Sequence, residues 1–250
     1  MAQVSRKGNS VNQINSSISL GGLFGRENRK ATIILLSTPV ILITFRYYGT
    51  KDFYLRHFAV AFSLFGNEEL TSVLYTFSSS LILLGVLPAL MIKFVFHEAL
   101  SLYGVRLGDW QLGLKAFLIL APVMMALTFP SSRMDSFTAE YPLYKGAGVS
   151  PLNFTFYSLL YVAYYLGWEF FFRGYMQFGL GKRLGDWNAI LVQTLASCLV
   201  HIGKPDAEIY SSILGGIVWG MVVFRTQSLL PALLLHWLLG ISLDAFIIYL

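Results

Sequence analysis

Apolar residues run through this chain in long stretches broken by short polar ones. They neither alternate as in a half-buried strand nor form the narrow stripe of a soluble helix. The long stretches are 31–45, 72–97, 113–129, 152–176, 188–203, 209–225 and 229–249. Most approach the roughly 20 residues that a helix needs to cross a hydrocarbon core of about 30 Å. The pattern predicts an all-α polytopic membrane protein, a bundle of about seven transmembrane helices. Residues 53–66 are too short and too charged at their start to span, and are expected to form an interfacial or re-entrant helix. Pro39, Pro88 and Pro122 fall inside predicted helices, where a missing N–H bends the backbone, and Pro130 closes one. The chain divides into a polar N-terminal tail (1–30) rich in Ser, Asn and Gly, a first group of membrane helices (31–149), and a C-terminal group (150–250).

Composition agrees. Hydrophobic residues make up 56% of the chain and charged ones 12%, and the mean hydropathy is +0.62, far from the balance of a soluble domain. A net charge of +5 would suggest nucleic acid on a soluble protein. Here the basic residues flank apolar spans, so the expected contact is anionic membrane lipid, with no nucleic acid. Arg6, Lys7, Arg26, Arg29 and Lys30 precede the first span, and Arg106, Lys182, Arg183 and Arg225 lie in alternate loops. This distribution predicts a multi-pass protein of the plasma (inner) membrane with a cytoplasmic N-terminus and an exterior 130–150 loop. Residues 1–30 lack the apolar core of a cleavable signal peptide. Cys198, the single cysteine, has no disulfide partner in the chain and reads as a packing residue.

The pentapeptide Arg106-Leu107-Gly108-Asp109-Trp110 recurs as Arg183-Leu184-Gly185-Asp186-Trp187, each time just before an apolar helix. Arg suits lipid phosphate, Gly the turn, Asp the cap of the new helix and Trp the interface, so both copies are expected on one side. Ser212, Gly216 and Gly220 form a small-residue stripe at fourfold spacing, which allows another helix to approach closely.

Ionisable groups inside apolar spans carry the chemistry. Glu169 and Arg173 interrupt the aromatic run Tyr164-Tyr165-Leu166-Gly167-Trp168-Glu169-Phe170-Phe171-Phe172-Arg173 at the i, i+4 spacing that puts them on one helix face. A buried pair alone is often architectural. His201, at the end of an apolar helix, and His236, inside the last span, extend it to an ionisable cluster that costs several kcal/mol to bury, which marks a functional site. His97-Glu98 is not a zinc motif, because Ser101 stands where the second histidine is needed.

The run Glu169-Phe-Phe-Phe-Arg173-Gly174, then His201, then Phe224-Arg225-Thr226-Gln227-Ser228-Leu229 leading to His236 resembles the CPBP family. That family comprises CAAX prenyl proteases of the second type and bacteriocin-processing or immunity (Abi-like) membrane proteins. The resemblance spans about residues 150–246, and makes 150–250 the CPBP-like catalytic core. It implies an intramembrane endopeptidase acting on a peptide or protein substrate, possibly lipidated, that arrives from the membrane. In the family pattern of tandem glutamates, Phe-x-x-x-His and His-x-x-x-Asn or Asp, Trp168 takes the place of the first glutamate, Ser197 that of the phenylalanine and Gly240 that of the Asn or Asp.

On these residues Glu169 and His201 are expected to polarise the water, His236 to donate to the oxyanion, and Arg173 to hold Glu169 ionised. Asp244, two turns beyond His236, is the nearest replacement for the group lost at Gly240. The alternative set is a divalent metal such as zinc on Glu169, His201 and His236. A serine mechanism lacks its base, since no histidine follows Ser242. The reading from another class is a catalytically silent scaffold or immunity protein on the same fold, suggested by Trp168 and Gly240. A transporter is disfavoured, because the short repeat does not mark two inverted halves.

Overall fold

The computed structural model describes residues 20–250, so Arg6, Lys7 and most of the polar tail lie outside the described residues. The helices are α1 (Arg29–Tyr48), α2 (Lys51–His57), α3 (Glu68–Phe94), α4 (Trp110–Ser131), α5 (Asp135–Glu140), α6 (Pro151–Glu169), α7 (Gly179–Leu184), α8 (Asp186–Val200), α9 (Asp206–Thr226) and α10 (Leu230–Tyr249). A π-helical segment, Phe170–Phe178, joins α6 to α7 without a break. The loop expected at 177–187 is therefore mostly helix, and the chain turns at Gly185 instead. Residues 53–66 give α2 and a short 3₁₀ turn, Leu64–Gly66, in place of one interfacial helix.

Local chemistry sets the helix starts. The Asn67 side chain accepts from Leu70 N at the head of α3, Asp109 from Leu112 N at α4, and Ser150 from Asn153 N at α6, satisfying amides that have no intrahelical partner. α1 runs on through Pro39. α3 widens into a π-helical stretch, Leu81–Val86, just before Pro88, whose ring nitrogen has no hydrogen to give.

Contacts sort the helix termini into two ends. At one, Arg183 donates to Asn28, Lys30 pairs with Glu98 at 2.7 Å, Arg106 donates to Gln227, and Asp109 N donates to Thr226 O. At the other, Tyr75 donates to the Tyr48 carbonyl, Lys145 N to Glu69, and Lys204 pairs with Glu140. Successive long helices thus run in opposite directions, and both Arg-Leu-Gly-Asp-Trp copies sit at one end. Asp109 caps α4 as the pentapeptide predicts, whereas Asp186 is already inside α8 and its first-turn cap position is Gly185.

Among the described residues five helices are long and apolar enough to cross a membrane: α1, α3, α4, α9 and α10. The protein is an all-α polytopic membrane protein. α8, with 15 residues, is about 22 Å long, and the tyrosines of α6 lower its hydropathy, so length and apolarity certify five of the seven predicted spans. The small-residue stripe packs as expected. Gln193 and Gln177 donate to the carbonyls of Gly216 and Gly220 at 2.9 Å, and a Cβ on Gly216 would lie 2.7 Å from Thr194.

Candidate active site

The last turn of α6 and the π-helical segment after it carry Trp168, Glu169 and Arg173, all buried. A π-helical turn in an otherwise α-helical rod is uncommon and concentrates at functional sites. Glu169 Oε1 accepts from Arg173 Nη1 at 3.3 Å and lies 2.6 Å from His236 Nδ1 on α10. The structure thus joins three of the four predicted site residues through one carboxylate oxygen. Trp219 braces this group from α9. Its ring lies 4.5 Å from the His236 ring, and the Arg173 guanidinium sits 5.5 Å from its centre.

His201 is placed differently. It caps the end of α8, and its Nδ1 lies 2.8 Å from the Ser197 carbonyl. A carbonyl only accepts, so Nδ1 carries the proton and Nε2 is left as the basic nitrogen. By the same logic the carboxylate of Glu169 accepts from His236 Nδ1–H and leaves Nε2 basic. Between the two histidines stands Trp168, its ring edge-on to both, 5.2 Å from His201 and 6.5 Å from His236. This indole thus stands between a histidine at a helix end and one in mid-helix. Among the described residues no three His, Cys, Asp or Glu side chains gather closely enough to hold a metal ion. Glu169, His201 and His236 do not form the two-imidazole, one-carboxylate set in this arrangement.

Two cavities flank the site, one lined by Trp168 and the other by Glu169, with no lining residue in common. The first, of about 210 Å³, is lined by Trp168, His201, His236, Tyr165, Glu140 and Glu208 among others. That volume holds several waters, each needing about 30 Å³. The second, of about 450 Å³, is almost wholly apolar, lies among α3, the 100–107 loop, the end of α6 and the start of α10, and is the one Glu169 lines. The other carboxylate oxygen, Glu169 Oε2, is buried without a hydrogen-bond partner.

One expectation changes. Asp244 does not reach the site: it accepts from the Tyr157 hydroxyl at 3.1 Å, on the face that packs against α6. The backbone carbonyl of Ser197 holds the His201 ring, a contact that does not depend on the side chain at 197.

The sequence reading also missed the rim of the first cavity. Tyr141 donates to both carboxylate oxygens of Glu208, and Lys204 pairs with Glu140 at 2.6 Å, so the α5 region is tied to the turn between α8 and α9. Burial pushes the Glu140 carboxyl up, but Lys204 more than reverses this and holds it below the usual range. Burial, with Glu208 beside it, pushes the Tyr141 hydroxyl well above the usual tyrosine range, which keeps it a donor. At the other end burial likewise raises Glu98, and the bonds from Lys30 and Tyr103 bring it below the ordinary carboxylate range. Glu98 thus ties Lys30, at the start of α1, to Tyr103 in the 100–107 loop.

Residues 149–241 match the family model described as Type II CAAX prenyl endopeptidase Rce1-like. This part of the chain belongs to the CPBP family. The matched CPBP region starts just before α6 and ends inside α10, so it contains Glu169, Arg173, His201 and His236. Comparison with curated proteins gave no match, and comparison with solved structures gave none either. The Rce1-like family is one of membrane proteases.

Proposed function

We propose that the protein is an intramembrane endopeptidase that hydrolyses a peptide bond in the cavity between His201 and His236. The observation that carries this reading is the 2.6 Å contact of Glu169 with His236 Nδ1. A carboxylate that orients an imidazole and stabilises its protonated form is the arrangement that makes the far ring nitrogen an effective base. Water in the cavity would lose a proton to His236 Nε2 while its oxygen adds to the scissile carbonyl carbon. His201 Nε2, the second bare nitrogen on the cavity, accepts from the same water and orients it. The proton then passes to the departing amine nitrogen as the C–N bond breaks, giving a carboxylic acid and an amine. In this reading Glu169 acts through His236 and not on the water itself, His236 serves as the base in place of the oxyanion donor expected from the sequence, and Arg173 holds the carboxylate ionised.

The apolar cavity beside Glu169 fits a substrate with a hydrocarbon chain, in keeping with a lipidated peptide reaching the site from the membrane. The test is cleavage of a quenched fluorescent peptide carrying a farnesylated cysteine, by the full chain in proteoliposomes. Glu169→Gln and His236→Gln should each lower the rate per folded molecule by about 10²–10⁴-fold. Cleavage at the wild-type rate by both variants would end this reading.

One observation favours a second reading, a silent scaffold or immunity protein. Trp168 fills the cavity wall between the histidines at the position of the family's first glutamate. On that reading the wild-type chain cleaves nothing, and Glu169→Gln changes only stability.

A further inference from the structure

We propose that the Tyr165 hydroxyl is the oxyanion donor of this site. The inference rests on the endopeptidase reading and adds the group that reading lacks. With Nδ1–H of each histidine committed to Ser197 and Glu169, both rings offer acceptors to the cavity. Acyl transfer also requires a donor for the negative charge that builds on the carbonyl oxygen.

Tyr165 lines the same cavity one turn before Glu169, and its ring lies 4.6 Å from that of His236. A Cβ added to Gly240, one turn after His236 on α10, would overlap the Tyr165 hydroxyl. The phenolic oxygen therefore occupies the space in which a side chain at 240 would begin, and the absence of such a side chain is what admits it. Gly240 and Tyr165 form one unit: α10 carries no side chain there, and α6 delivers a hydroxyl to the same point beside His236. A neutral phenol donates to a developing oxyanion without the cost of burying a charge.

The test uses the full chain in proteoliposomes, the farnesyl-cysteine peptide, and its analogue with a phosphinate in place of the scissile amide. Tyr165→Phe should lower kcat by about 10²–10³-fold with KM nearly unchanged, and should remove at least tenfold of the preference for phosphinate over amide. Gly240→Ala, which pushes the hydroxyl aside, should have the same effect, and the double variant should be no worse than either single one. Cleavage and phosphinate preference at wild-type levels in Tyr165→Phe would overturn the proposal. A wild-type chain that cleaves nothing but prefers the phosphinate, with the preference lost in Tyr165→Phe, would end the endopeptidase reading and leave the donor site standing. A wild-type chain with neither cleavage nor preference would overturn both.

Discussion

Replacing Arg173 by alanine removes the cation from a pair whose side chains are each 1% exposed and 3.3 Å apart. At an effective dielectric constant near 20 the attraction across 3.3 Å is about 5 kcal/mol. Removing one partner of such a pair costs about 3–5 kcal/mol, because the remaining charge stays buried. For a chain of this size each kcal/mol moves the melting point by about 2–4 °C, so Arg173→Ala should melt roughly 6–20 °C below wild type. Thermal unfolding in detergent, followed by circular dichroism, reads this directly. The double variant Glu169→Gln with Arg173→Met takes both charges away and should return to within a few degrees of wild type, since hydrophobic replacements for buried pairs are often neutral. A single variant melting within about 2 °C of wild type would show that the pair does not hold the fold. A double variant as unstable as the single one would place the loss in packing against Trp219 instead.

Gly216→Ala should destabilise by about 1–3 kcal/mol through overpacking against Thr194, and Thr194→Ala in the same chain should recover much of it, both read as melting temperatures. The Glu140–Lys204 tie should depend on pH in one direction. The Glu140 carboxyl is depressed in the folded protein, so its contribution is full above the ordinary carboxylate value of 4.5 and is lost as pH falls below that through the folded value. Protease nicking in the 135–145 region at pH 3.5 against pH 6 measures this, and greater nicking at pH 6 would contradict it. Single cysteines at Glu27, Leu107, Ser136 and Trp187 in a Cys198→Ser background test orientation. Only the Ser136 position should label from outside intact cells, and labelling at Leu107 or Trp187 would reverse the assignment.

Local rules were enough for much of the molecule. Asp109 announces its cap because capping needs only the next three residues, and Glu169 with Arg173 announces a pair because four residues of helix suffice. Gly216 and Gly220 reveal a close approach, though not that Gln193 and Gln177 fill it. What escaped depends on distant segments. No periodicity says that Glu169 bonds to His236, 67 residues away, or that Tyr165 fills the space of Gly240. Trp168 could be recognised as replacing a carboxylate, but not as an indole set between two imidazoles. Asp244 was judged by helical phase from His236, and that phase leads to Tyr157 instead.

The π-helical segment after Glu169 changes how this helix must be counted. An α-helix advances about 100° per residue, and a π turn holds an extra residue, so each face after Phe178 is displaced from the one that α-helical counting from Pro151 assigns. The segment works as a phase shifter between two parts of one rod. Before it Tyr165, Trp168 and Glu169 line the cavities, and near its far end Gln177 donates to the backbone of Gly220. Deleting a single residue within 170–178 would shorten no loop. It would turn α7 and its attachment to α8 by about a quarter of a revolution, so a gap at this place in an alignment of relatives marks a rotation of the helix and not a trimmed surface.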